Sequence, residues 1–128
     1  MTEPRSSPGF ERSPAGPGPL IQGFAGTGFR VDGEIYQAVL LTPERALAWT
    51  PPALAELGLA DVEVALGAET EFLIIGTGPA QAFPPRAFVA ALEGRGIGIE
   101  AMDSRAAARA WTMLRGEGRR IAAALLPL

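Results

Sequence analysis

Three short stretches hold residue types that could bind or react: Gly76-Thr77-Gly78, Asp103-Ser104 and Glu117-Gly118-Arg119-Arg120. Glycines let backbone N–H groups approach an anion, so Gly76-Thr77-Gly78 could cradle a phosphate. Against this, Gln81 stands where a dinucleotide loop has its third glycine, Pro79 lacks an N–H, and the next helix starts only near Pro84. The same tripeptide also suits a turn that ends a buried strand. Asp103 and Ser104 could orient a small polar ligand, or could simply cap a helix, a role typically worth about 1 kcal/mol. Arg119 and Arg120 could recognise a partner's carboxylate or phosphate in bidentate fashion, or pair with a local acid beside a glycine turn. Arg105 and Arg109, four apart on one helix, fit a solvated face or a docking surface for an acidic partner. Glu100 and Asp103 lie across a strand end and point differently, so no pair of carboxylates is placed for acid–base catalysis.

The missing residue types narrow the chemistry. The 128-residue chain has no Cys, His, Lys or Asn, and its eleven basic residues are all arginine. Disulfides, thiolate and Ser-His nucleophiles, zinc and haem sites built on Cys or His, Schiff bases and the phosphate-loop lysine are excluded. We expect no catalytic residues, no metal site and no cofactor. The formal net charge of −3 argues against nucleic acid, although Arg is concentrated after residue 85. The first twenty residues contain no apolar signal core, and no apolar run approaches the roughly 20 residues of a membrane span. A cytoplasmic protein without a membrane span is expected.

These residues must be positioned by elements legible from periodicity. Residues 1–19 hold five Pro, three Gly and three Ser, a composition that predicts a disordered tail ahead of one domain over 20–128. Phe29-Arg30-Val31 followed by Asp32-Gly33 predicts a β-hairpin whose second strand is the apolar run 35–41. A short strand over 46–50 ends at Pro51-Pro52. Residues 53–67 suggest short helical turns broken at Gly58, with Asp61 as a possible start of the second. The run Phe72-Leu73-Ile74-Ile75 predicts a strand buried on both faces. A helix over 85–94, a strand over 97–102, a helix over 104–115 and a strand over 120–126 complete an α/β unit. If the strands at 71–75 and 97–102 are parallel neighbours, Gly76, Thr77, Gly78, Asp103 and Ser104 share one sheet edge.

With these residues in view, the chain resembles the Mth-domain family of small domains of unknown function. That family includes an adipogenesis-associated protein and a mitochondrial assembly factor of NADH:ubiquinone oxidoreductase. The resemblance rests on Phe72-Leu73-Ile74-Ile75-Gly76-Thr77-Gly78 and on the run Gly96-Ile97-Gly98-Ile99-Glu100-Ala101-Met102-Asp103-Ser104. It continues through Ala106-Ala107, Trp111 and Glu117-Gly118-Arg119-Arg120-Ile121-Ala122-Ala123-Ala124-Leu125, with Gly28-Phe29-Arg30-Val31-Asp32-Gly33 and Trp49 also in keeping. It covers residues 20–127. Ala108 and Thr112 depart from it, standing where relatives often have Cys and Asn.

The resemblance implies a single three-layer α/β domain: a mixed central sheet with helices on one side and an antiparallel β-layer on the other. It implies no established enzymatic activity, and a part in assembling respiratory or membrane complexes. The expected function is therefore a protein-interaction or assembly module with a protein partner. The alternative is a small-ligand domain with a polar pocket at the edge formed by Gly76–Gly78 and Asp103-Ser104.

Overall fold

A computed structural model describes residues 18–128 of the chain. Of the predicted tail over residues 1–19, residues 1–17 lie outside them. Two sheets are present among the described residues. The smaller has the order β1-β2-β3, built from Ile21–Ala25, Gly28–Val31 and Glu34–Tyr36, and is antiparallel throughout. The larger contains β4 (Val39–Leu41), β5 (Ala46–Ala48), β6 (Phe72–Gly76), β7 (Gly98–Met102) and β8 (Ile121–Leu125), in the order β5-β4-β8-β6-β7. Pairing is parallel for β8-β6-β7 and antiparallel for β5-β4-β8. The helices are α1 (Leu59–Val62), α2 (Arg86–Glu93) and α3 (Ser104–Leu114).

The Asp32-Gly33 hairpin forms as the sequence implies. Both residues have positive φ, 50° and 86°, and they join β2 to β3 through the register Val31↔Glu34. That sign suits the right-handed twist of the flanking strands. The run 35–41 is not one strand, however. Its first part pairs with β2 in the small sheet, while Val39–Leu41 pairs with β5 and β8 in the large one. The break falls at Gln37, the one polar residue of the run, whose side-chain carbonyl accepts from the Thr27 hydroxyl at 2.8 Å. Residues 54–65 form two 3₁₀ turns around the single turn of α1. Asp61 belongs to that turn rather than starting it, and its carboxylate accepts the Gly58 N–H at 2.8 Å.

The crossovers explain the layers. The chain moves outwards from β6 to β7 through α2, then returns past β6 to β8 through α3. Parallel crossovers are overwhelmingly right-handed, so connections running in opposite directions place their helices on opposite faces. Accordingly Phe88 and Leu92 of α2 pack with Leu57, Val62, Leu73 and Ile75 in one core. Ala107, Ala108 and Trp111 of α3 pack with Ile74 and with Phe29 and Val31 of the small sheet in the other. Thus α1 and α2 have one face to themselves, and α3 shares the opposite face with the β-layer. Strand β8 lies between the two cores and is buried along its whole length. Its three alanines let both layers approach the sheet closely. The Trp111 indole N–H donates to the Pro19 carbonyl at 2.8 Å, which fixes the start of the described chain against α3.

Ile74 is fully buried and Ile35 is 53% exposed. Ile74→Ala is expected to cost about 2–5 kcal/mol through lost burial and a residual cavity. Ile35→Ala should stay within about 0.5 kcal/mol. Urea unfolding of both variants, with unchanged m-values, checks the difference.

Candidate functional site

Strands β6 and β7 are parallel neighbours in the register Gly76↔Met102, and their exits do share one edge. The Thr77 N–H donates to the Met102 carbonyl at 2.8 Å. Gly78 and Ser104 bond each other twice: the Gly78 N–H donates to Ser104 Oγ at 2.8 Å, and the Ser104 N–H donates to the Gly78 carbonyl at 2.8 Å. Ser104 Oγ in turn donates to the Leu126 carbonyl at 2.7 Å, and the Leu126 N–H donates to the Gly76 carbonyl at 2.9 Å. Thr77 Oγ1 donates to the Ala80 carbonyl at 2.7 Å and accepts the Ala82 N–H at 3.1 Å. Asp103 Oδ1 accepts the Ala106 N–H at 2.9 Å, which makes Asp103 the N-cap of α3.

Two glycines permit this arrangement. A Cβ on Gly76 would lie 2.8 Å from Ser104 Oγ and 2.9 Å from Leu125 Cδ2, so the start of α3 reaches β6 only over a residue without a side chain. Gly78 has φ +105°, which the sharp exit before Pro79 requires. Open α/β sheets bind ligands at strand ends where successive crossovers part to opposite faces, and β6 and β7 part in that way. Here the N–H groups of Thr77 and Gly78, which would face an anion, are spent on Met102 and Ser104. Both hydroxyls at the edge are engaged as well.

Arg119 and Arg120 sit at the other end of the sheet, just before β8, and do not meet the first group. A five-residue strand separates the two ends, on the order of 15 Å at the usual rise per residue. Arg120 pairs with Glu69 at 2.9 Å and more loosely with Glu44 at 3.9 Å, in partly exposed bridges. Such pairs contribute little to stability. The Arg119 guanidinium lies 6.0 Å from the centroid of the Phe72 ring. Gly118, in the left-handed region at φ 72°, ends the turn after α3. Among the described residues no group of three or more His, Cys, Asp or Glu could hold a metal ion. No helix there is long and apolar enough to cross a membrane.

Residue spacing does not reveal a second feature, a groove of about 360 Å³ between β1 and α3. Ala108 and Thr112, the two departures from the resembled family, both line it. The available signal was the row Arg105, Arg109, Met113 at helical spacing on the outer face of α3. What was missing was β1, whose alternation is broken by Gly23.

Ser104→Ala leaves the Gly78 N–H and the Leu126 carbonyl without their partner and should cost about 1–3 kcal/mol. Asp103→Ala removes only the cap and should cost about 1 kcal/mol. Gly78→Val adds backbone strain of about 1–3 kcal/mol. Denaturant unfolding of the three variants, compared with Glu100→Ala on the exposed part of β7, tests this ranking.

The chain is similar to known proteins in sequence and in fold. An uncharacterised protein of Rhodobacter capsulatus is 34% identical over 121 residues, covering 91% of this chain and 92% of its own. A crystal structure of a Bordetella parapertussis protein superposes with a TM-score of 0.79 at 32% identity, over 90% of this chain and 100% of that one. The solution structure of a Bordetella pertussis protein, described as a Mth938-like domain, has a TM-score of 0.74 at 25% identity, over 93% of this chain and 92% of that one. The family model for proteins of unknown function DUF498/DUF598 matches residues 21–126. With nearly the whole described fold inside that match, the chain belongs to the DUF498/DUF598 family.

Proposed function

We propose that this domain is a non-enzymatic, cytoplasmic protein-interaction module, and that it serves in the assembly of a respiratory or other membrane complex, as the resemblance to an assembly factor implies. The observation that supports a surface role is the state of the strand-end edge. The hydroxyl of Ser104 is fully buried and bonded on both sides, and Thr77 is similarly occupied. A small ligand would have to break these bonds to reach the backbone N–H groups. The alternative pocket formed by Gly76, Thr77, Gly78, Asp103 and Ser104 is therefore less favoured. The depleted catalytic alphabet points the same way, since neither imidazole nor thiol is present for proton transfer or nucleophilic attack. In this reading the first five residues hold the edge, and Arg119 and Arg120 belong to the exposed surface open to a partner.

The test has two arms. Crosslinking of the tagged chain at native abundance in its host should give a saturable, stoichiometric complex with another protein. A metabolite panel should leave the melting temperature of the purified protein unchanged, because a ligand at a hundred times its Kd would add about 2.7 kcal/mol. A metabolite that stabilises the wild type but not Asp103→Ala would overturn the interaction reading in favour of ligand binding.

A further inference from the structure

We infer that the groove between β1 and α3 docks an acidic segment of a partner protein that carries a bulky apolar side chain. This rests on the interaction reading above and names the chemistry of the partner. The groove has an apolar lining from Ile21, Phe24, Ala108 and Met113, with Gln22 and Arg109 as polar members. Phe24 is 38% exposed and Met113 is 69% exposed, so two large apolar side chains flank an open slot. Its volume of about 360 Å³ suits inserted side chains.

The charged groups decide the occupant. The Arg105 guanidinium lies over the Phe24 ring, 4.9 Å from its centroid. Arg109 follows one turn later along the same exposed row. The ion pairs among the described residues are Arg95 with Glu63 and Arg120 with Glu44 and Glu69, so neither Arg105 nor Arg109 has a carboxylate partner there. No carboxylate lines the groove. The Gln22 carbonyl already accepts the Gly33 N–H at 2.6 Å, which leaves its amide NH₂ as a further donor. The Thr112 hydroxyl donates to the Ala108 carbonyl at 3.0 Å within the helix. An apolar slot rimmed by two guanidiniums and an amide donor complements a segment rich in carboxylates around one apolar anchor. Two arginines on a concave slot are a poor match to the long phosphate backbone of nucleic acid.

The probe is the synthetic peptide acetyl-Glu-Asp-Phe-Leu-Glu-Asp-amide, titrated into the ¹⁵N-labelled full chain. Shift changes should cluster on β1 and on residues 105–113. Arg109→Glu should weaken binding at least tenfold while leaving the melting temperature unchanged, since this side chain is exposed. A peptide with its four acids replaced by lysine should not bind. Shifts elsewhere, or unchanged affinity in Arg109→Glu, would overturn the assignment. So would preferential binding to phosphatidylglycerol vesicles, self-association through this face, or tenfold tighter peptide binding in Phe10→Ser, which would give the groove to a bilayer, a second copy or the chain's own amino-terminal segment. The crosslinking arm separates the two levels. A native complex that survives Arg105→Glu/Arg109→Glu would remove the groove proposal alone, and a wild type that forms none would remove the interaction reading itself.

Discussion

The hydroxyl of Ser104 is the fastening on which the rest of the large sheet depends. It accepts from the exit of β6 and donates to the exit of β8, while its own N–H reaches back to Gly78. Three segments far apart in sequence are thereby closed at a single buried point. The fastening requires a bare backbone at Gly76, because any side chain there would occupy the space of the hydroxyl. It also requires α3 to begin immediately after β7, which Asp103 ensures by capping the helix at once. A buried hydroxyl is costly unless satisfied, and here Gly78 and Leu126 satisfy it on both sides. The same bonds explain why the strand ends lack the free donors of an anion-binding loop.

Much of this is legible in the sequence. Strands buried on both faces read as continuous apolar text, and β6 and β8 did so. Helices with one buried stripe read by their period, as with Phe88 and Leu92 or Ala107 and Trp111. The βαβ order then places Gly76–Gly78 beside Asp103 and Ser104 once the two strands are taken as parallel neighbours, which they are. What periodicity cannot report is which neighbour a strand chooses. The run 35–41 is apolar apart from Gln37, yet Glu34–Tyr36 and Val39–Leu41 belong to different sheets. Strand β1 is hidden because Gly23 interrupts its alternation. The groove was invisible for a stronger reason: its walls come from residues 21–24 and 108–113, and only tertiary packing brings them together.

The two faces of the large sheet have different characters as a result. The face under α1 and α2 is closed by loops and short turns around Leu57 and Val62. On the other, α3 and the small sheet meet along a seam, and only part of that seam is filled. Trp111 fills its deep end, with its indole N–H bonded to Pro19. Towards Phe24 and Met113 the seam opens to solvent. The arginines are where that opening leaves apolar surface beside charge.

Strand β8 also governs the order in which the molecule can be made. It separates β4 from β6, and its pairing Val39↔Leu125 spans most of the chain. On a growing polypeptide, β4 and β6 therefore have no common neighbour until β8 has been synthesised. Until then the nascent chain holds two strands with open hydrogen-bonding edges and two half-covered apolar faces. Pairings of such long sequence separation are slow to close, and open edges invite pairing with other chains. The step that joins the two cores waits for β8, so the chain without it is the form most exposed to aggregation.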